Sequence, residues 1–323
     1  MAKLVTGLVA LCIAQAAYSL PTTESEPIFT PLGVGTTGDS QAGVASIDDG
    51  LIPEFVALDA DILRSVVESN VTEVPPSDFA ANAAQAERRG IIGAVDDRVR
   101  WTDRNFPYSP IGRIQFGGIW CSATLVGPRH VATALHCIPE QGTPITFQPA
   151  YAGGDTYPSS AVQYVLNSGV PIGAPCWEFS DWAILILKDR IGDQRGYFGA
   201  RVIEDQHLNK NVWYHMGYPQ DRDGGTQPYR QGQITVARLG GFSDCPNERR
   251  AMLVTDADAI GGQSGGPLWL GPEWDANGNR YVYGVCSASS SLDTAFSGGT
   301  IFSACILSLC LVTVLPRVLM FWH

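Results

Sequence analysis

The stretch GGQSGGPLW, Gly261–Trp269, places Ser264 in a glycine-rich loop directly before a short apolar run. Glycine adopts backbone conformations that other residues avoid, so such a loop lets the main chain come close to a bound ligand. A serine in this setting is a candidate nucleophile, but the same letters also fit an inert glycine-rich turn. The choice depends on whether the rest of the chain supplies a base and an acid in a compatible fold.

The chain after residue 110 is a series of short apolar and aromatic runs separated by Gly, Pro, Asp and Asn. Examples are WCSATLV, HVATALHC, WAILILK and RYVYGVCSA. Strands that recur about every 8–12 residues are typical of all-β sandwiches and barrels. A doubly wound α/β fold needs amphipathic helices between its strands, and few segments have that pattern. The sequence therefore predicts an all-β fold.

The order of the polar residues excludes one fold for the serine loop. G-x-S-x-G also occurs at the nucleophile elbow of α/β-hydrolases, where the histidine follows the serine. After Ser264 the only histidine is His323, the last residue of an apolar tail, so that fold lacks its base. In the opposite order, His136 in TALHC and Asp181 in DWAILIL precede Ser264. A base that takes the serine proton and an acid that orients the base would give these three residues their roles.

Two further features support this assignment. Cys121 precedes Cys137 by sixteen positions, and a disulfide between them would tie a strand to the turn that presents His136. Gly262 would let the N–H groups of Gly262 and Ser264 face a developing oxyanion. The rival residues are histidine and aspartate side chains expected in structural or turn positions: His130, Asp155 and His215.

Together these stretches resemble the chymotrypsin/trypsin superfamily of serine proteases. TALHC, SDWAILIL and GGQSGGP are similar to the segments that carry its base, acid and nucleophile, and IIGAVDDRVRWTD and DADAIGGQSGGP are similar to its glutamyl-endopeptidase branch. The resemblance covers residues 91–302. It implies two packed six-stranded antiparallel β-barrels with the active site in the cleft between them. It also implies hydrolysis of protein or peptide substrates, with no cofactor and no metal ion.

The chain departs from that superfamily at the serine loop and at the specificity pocket. Gln263 stands where trypsin-like zymogens have an Asp that pairs with a new terminal amine, so activation by that ion pair is not expected, and Gln263→Ala should spare most activity. Asp258 matches the pocket Asp of trypsin and, taken alone, indicates basic specificity. Glutamyl endopeptidases can also carry an Asp in this DAD stretch, so a structural role is the alternative. Ala259 and Cys286 stand where glutamyl endopeptidases have Thr and His, so the resemblance leaves the residue preference at the cleaved bond open.

The N-terminal part has the features of a secreted precursor. Lys3 and the apolar stretch that follows predict a signal peptide over residues 1–19, and hence secretion. Residues 20–89 contain 12 Asp and Glu against 3 Lys and Arg, and end at the dibasic pair Arg88–Arg89. This acidic segment is interpreted as a propeptide that is removed after the pair and is itself a partner of the catalytic domain at 90–302. A solvated acidic linker is the alternative.

Other functions find less support in the composition. The formal net charge is −11 and no basic stripe occurs, so nucleic acid is not an expected partner. The apolar tail at 303–323 is atypical, and a membrane segment, a GPI-anchor signal and an error in the gene model are the interpretations left open. Membrane anchoring is the less favoured because Pro316–Arg317 interrupts the apolar run. Three further cysteines allow three alternative disulfides, each of which leaves one cysteine unpaired: Cys176, Cys245 and Cys286. The alternative function is a non-catalytic protease homologue that binds proteins or surfaces.

Overall fold

The computed structural model describes residues 30–36, 50–57, 91–92, 95–154, 157–239, 252–272, 280–290 and 293–298. The predicted signal peptide, the Arg88–Arg89 pair, Asp155, Cys245 and the tail at 303–323 lie outside the described residues. Within those residues, no helix has the length and apolar character needed to span a membrane.

The first barrel is a closed ring of six antiparallel strands. They are β5 (Ile111–Phe116), β6 (Ile119–Leu125), β7 (His130–Thr133), β8 (Thr146–Pro149), β9 (Ser160–Asn167) and β10 (Ala183–Leu187). The ring runs β10-β7-β6-β5-β8-β9 and closes because β9 also pairs with β10. The β5–β6 hairpin turns through Gly117 and Gly118, both at positive φ, as two-residue turns between twisted strands require. Apolar side chains from all six strands fill the interior.

The second barrel is built the same way from the C-terminal half. Its strands are β12 (Trp213–Gly217), β13 (Tyr229–Ile234), β14 (Val236–Leu239), β15 (Met252–Thr255), β16 (Pro267–Leu270), β18 (Gly284–Ser289) and β19 (Thr294–Gly298). Only Thr235 separates β13 from β14. Together they act as one bent strand. Its first part, β13, pairs with β12 and its second part, β14, pairs with β15, which closes the ring. The prediction of two packed antiparallel barrels is confirmed.

The remaining elements are short. They are β4 (Val99–Arg100), the parallel pair β11 (Gly199–Ala200) and β17 (Tyr281–Val282), the α-helical turn Gly192–Arg195, and the 3₁₀ turns Leu135–Cys137, Trp177–Phe179, Asp205–His207 and Asp223–Gly225. A cluster of buried apolar side chains joins the two barrels, with Ile184 and Ile186 from the first and Met216 and Trp269 from the second. This packing sets the cleft between them.

Three strands come from the acidic segment that precedes the barrels. β1 (Thr30–Pro31) pairs with β18, and β2 (Gly35–Thr36) pairs with β6, so one short stretch reaches both barrels. β3 (Glu54–Ala57) lies parallel to β9. Part of the predicted propeptide is therefore packed against the barrels as added strands.

Candidate active site

His136 and Asp181 are brought together by the pairing of β7 with β10. Ala183 lies opposite Thr133, so the residues just before β10 meet the turn that follows β7. Asp181 is fully buried, and its Oδ2 lies 2.8 Å from His136 Nδ1. Its Oδ1 accepts a hydrogen bond of 2.9 Å from the backbone N–H of His136. This arrangement favours the tautomer with the proton on Nδ1 and leaves Nε2 to act as a base.

Two further contacts hold this pair. The Ser287 hydroxyl, on β18 of the second barrel, donates to Asp181 Oδ2 at 2.5 Å. Cys121 on β6 is disulfide-bonded to Cys137, the neighbour of His136, with an S–S distance of 2.02 Å. The disulfide is the one predicted. The role of Ser287 was missed, because a serine inside a strand has no sequence signal that distinguishes it from others.

Glycine is required at two positions of the serine loop. Gly262 and Gly265 have φ of 92° and 81°, values that favour glycine. A Cβ on Gly262 would lie 2.5 Å from Tyr218 O, and one on Gly265 would lie 2.1 Å from Thr133 Oγ1. The loop therefore fits between Tyr218 and Thr133 of β7 only because these two residues have no side chain.

Ser122, on β6, ties the serine loop to the first barrel. Its backbone N–H donates to Ser264 O at 2.8 Å, and its hydroxyl donates to Gly262 O at 2.8 Å. The same hydroxyl accepts a 2.9 Å hydrogen bond from the Tyr218 N–H. Sequence reasoning missed this residue too, although it directly follows Cys121.

Two donors of the serine loop converge on one carbonyl oxygen. The Ser264 hydroxyl donates to Gly33 O at 2.9 Å, and the Gly262 N–H donates to the same oxygen at 3.3 Å. Ser264 is fully buried. Among the described contacts no hydrogen bond joins Ser264 Oγ to His136. The nucleophile candidate therefore faces a peptide carbonyl, next to a backbone donor of the type that stabilises oxyanions.

That carbonyl belongs to the segment that includes β1 and β2. Upstream of Gly33, the Leu32 N–H donates to Ser287 O at 3.2 Å. Downstream, Gly35 lies opposite Trp120, so close that a Cβ on Gly35 would fall 2.1 Å from the indole ring. The segment 30–36 therefore runs through the cleft as two short strands joined through Gly33, whose φ is 82°, and covers Ser264.

The three residues predicted to line the specificity pocket are all buried. Both Asp258 oxygens accept backbone hydrogen bonds, from the Ile92 N–H at 2.7 Å and the Asp97 N–H at 2.9 Å. Burial raises the pKa of the Asp258 carboxyl, and these two hydrogen bonds oppose that rise. Ala259 and Cys286 belong to the apolar core of the second barrel. The carboxylate expected to read a basic substrate is thus bound to the segment that precedes β4.

The cysteines outside the predicted disulfide differ in state. Cys286 is a free, buried thiol, and burial raises its pKa well above the usual range. The two alternative disulfides that include Cys286 are therefore absent. Cys176 is disulfide-bonded, with a partner outside the described residues.

The rival histidines are buried in the barrels. His130, on β7, packs against Gly127, and burial lowers its pKa to about 4. His215, on β12, lies 3.0 Å from Pro267 O through Nδ1, and burial also lowers its pKa to about 4. Neutral histidines of this kind have structural roles. Over the described ranges, no three His, Cys, Asp or Glu side chains form a group suited to a metal ion.

Two comparisons with known proteins concern the amino-acid sequence of the chain. A trypsin family model matches residues 99–301. A glutamyl endopeptidase of Bacillus licheniformis is 27% identical over 313 residues, covering 92% of this chain and 90% of that protein.

Two solved structures share the fold. A Glu endopeptidase in complex with MPD has a TM-score of 0.56 and 20% identity, covering 69% of this chain and all of that one. A human heparin binding protein has a TM-score of 0.50 and 16% identity, covering 68% of this chain and 98% of that one. Because the family match spans more than half of its residues, the chain belongs to the trypsin family of serine proteases.

Proposed function

We propose that this chain is a secreted serine endopeptidase that uses His136, Asp181 and Ser264, and that it is made as a precursor whose residues 20–89 are removed after Arg88–Arg89. The observation that carries the proposal is the convergence of Ser264 Oγ and the Gly262 N–H on one peptide carbonyl, beside the His136–Asp181 pair. The signal peptide predicted at 1–19 supports secretion.

The reaction follows from the positions of these groups. Ser264 Oγ attacks the carbonyl carbon of the substrate while His136 Nε2 takes the hydroxyl proton. The Gly262 and Ser264 N–H groups stabilise the oxyanion of the tetrahedral intermediate. The C–N bond then breaks, and the amine leaves with the proton from His136. Water repeats the same steps on the acyl-enzyme and releases the acid. Asp181 keeps His136 in the required tautomer and stabilises the imidazolium.

Substrates are expected to be extended peptides that add a strand to both barrels. The segment 30–36 already uses this mode, since β1 pairs with β18 and β2 with β6. Main-chain hydrogen bonds of this type supply affinity, and side-chain pockets supply selectivity.

The preference at the cleaved bond is expected to be apolar rather than charged. Both Asp258 oxygens are occupied, and the Cys286 thiol is neutral and buried. Leu32, which precedes the residue whose carbonyl faces Ser264, packs against the apolar cluster that contains Ala259 and Cys286. The acidic preference that the name of the glutamyl endopeptidase relative indicates would need a cationic group in the pocket, and neither Ala259 nor Cys286 supplies one.

The segment 30–36, called the resident segment below, supports the proposal that the protein is made as a precursor. Its Gly33 carbonyl binds the Ser264 hydroxyl and one of the two proposed oxyanion donors, the Gly262 N–H, so a peptide cannot reach Ser264 until residues 30–36 leave. Cleavage after Arg89 cuts the covalent link and lets the segment dissociate. The processing sites themselves lie outside the described residues.

Hydrolysis of a peptide library by the processed protein tests this function. We expect cleavage by the wild type, mainly beside apolar residues, and none by Ser264→Ala. The variant Ser109→Ala, which changes another buried serine, serves as a matched control and should keep activity. If folded, processed wild type cleaves nothing, the non-catalytic, protein-binding alternative is favoured.

A further inference from the structure

The side chain between the two proposed oxyanion-hole residues is held at three points. Gln263 is buried, and its Oε1 accepts hydrogen bonds from Arg98 Nη1 at 2.7 Å and from the Ile260 N–H at 3.1 Å. Its Nε2 donates to Asp258 O at 3.4 Å. The three hydrogen bonds of this amide therefore go to Arg98 and to the backbone just before the loop.

Arg98 is a buried cation with all five of its side-chain N–H groups engaged. Its Nε and Nη2 donate to Asp96, and its Nη1 and Nη2 donate to Asp221, over 2.7–3.1 Å. The fifth N–H, on Nη1, is the one given to Gln263. The guanidinium is fully shielded from solvent. Because Arg98 has fixed donor geometry and two carboxylate partners, it is an anchored group against which a loop can be positioned.

We infer that Arg98 is a positioning residue, which holds the Gly261–Ser264 loop through Gln263 so that the Gly262 N–H points at the reacting carbonyl. The inference rests on the proposed function and concerns how the site is assembled. An aspartate at position 263 would need a cation from a newly freed terminus. A glutamine needs only a donor, and Arg98 supplies one from within the chain.

The network is complete in the uncut chain. Arg98 lies nine residues beyond Arg89, and neither it nor Gln263 needs a free amine to form the contact. The oxyanion loop is therefore assembled in the precursor, and the precursor is latent because its cleft is occupied. This replaces the sequence-based expectation that Gln263→Ala spares most activity, since that change would leave Arg98 Nη1 and the Ile260 N–H without their acceptor.

The test compares variants of the processed enzyme on one peptide substrate. Gln263→Met keeps the size but removes the acceptor. We expect kcat to fall about 10- to 100-fold with KM nearly unchanged, because an oxyanion donor acts mainly in the transition state. Gln263→Glu keeps the acceptor for Arg98 and should restore kcat to within a few fold of the wild type. Arg222→Met is the matched control: Arg222 donates to Asp96 but not to Gln263, so kcat should not change.

A second measurement does not depend on catalysis. In processed protein carrying Ser264→Ala, hydrogen exchange of the peptide that covers residues 258–266 should be faster with Arg98→Met than without it, and unchanged with Arg222→Met. Equal exchange with and without Arg98, or wild-type kcat in Gln263→Met, overturns the inference. An inactive wild type whose loop exchange still depends on Arg98 counts against the proposed function and leaves the positioning role supported.

Discussion

The two barrels hold their halves of the candidate site in different ways. In the first barrel, His136 and Asp181 are hydrogen-bonded next to the paired strands β7 and β10. A disulfide fixes the 3₁₀ turn that follows β7 and contains His136. These constraints are mostly local to one barrel. The first half therefore depends mainly on the pairing and packing of its own strands.

The second half, the Gly261–Ser264 loop, is held from outside its barrel. Ser122 reaches it from the first barrel, Arg98 from the segment before β4, and Gly33 from the acidic segment. A loop in which two of the four residues are glycine has little stiffness of its own, so contacts with distant residues must supply it. The His136–Asp181 pair is therefore held mainly by its own barrel, whereas the position of the Gly261–Ser264 loop depends on contacts from several parts of the chain.

The largest effect is expected from breaking the first half at its acid. Asp181→Asn should lower kcat about 10⁴-fold, because an amide facing His136 Nδ1 favours the wrong imidazole tautomer. The measurement is kcat of the processed protein on a peptide substrate. Asp193→Asn, which removes only a surface ion pair with Arg190, is the matched control and should leave kcat unchanged. Similar activity in both variants would remove Asp181 from the mechanism.

The next largest effect is expected from removing the disulfide that stabilises the first barrel. Replacing Cys121 and Cys137 by Ala should lower the free energy of unfolding by about 3 kcal/mol, since their separation is 16 residues. Denaturant unfolding at neutral pH measures it. Cys286→Ala removes a buried thiol without a crosslink, and a loss as large as in the double variant would contradict the prediction.

The two barrels are alike in one respect, because each contains a histidine whose pKa is lowered to about 4 by burial: His130 in the first and His215 in the second. The unfolded chain takes up these protons near pH 6.5, before the folded chain does. The free energy of unfolding should therefore fall as the pH drops from 6.5 towards 4, by about 2 kcal/mol per histidine at pH 5. His215→Gln should lose less stability than the wild type between pH 7 and pH 5. An identical pH dependence would show that His215 titrates normally.

The smallest effect concerns the resident segment over the second half. In Gly35→Leu the new side chain would collide with the Trp120 ring, and overpacking of this kind costs about 1–3 kcal/mol. We expect the uncut precursor to react about 10-fold faster with a serine-directed probe. Thr36→Leu, at an exposed position of the same strand, should react at the wild-type rate. If Gly35→Leu also leaves the rate unchanged, the segment does not cover the site in solution.

Much of the first half could be predicted from sequence. Apolar strands of regular spacing, a cysteine beside His136 and an aspartate at the start of a buried strand are local patterns, and the structure brings His136, Asp181 and the disulfide together as expected. The two-barrel fold follows from the same strand patterns and from the family resemblance.

The contacts that assemble the second half could not be predicted. Gly33 binds through its backbone carbonyl, a group that every residue carries. Arg98 meets Gln263 across 165 positions, and without the fold nothing marks one arginine among the others. Asp258 resembled a substrate-binding acid, yet its partners are backbone N–H groups, which leave no trace in the sequence.

The most direct test of the central claim is labelling with a fluorophosphonate probe, followed by mass spectrometry of the adduct. We predict that the processed protein carries one adduct, on Ser264, and that the uncut precursor forms it more slowly because residues 30–36 cover that hydroxyl. An adduct on a different residue, or no adduct on folded and processed protein, would contradict the account.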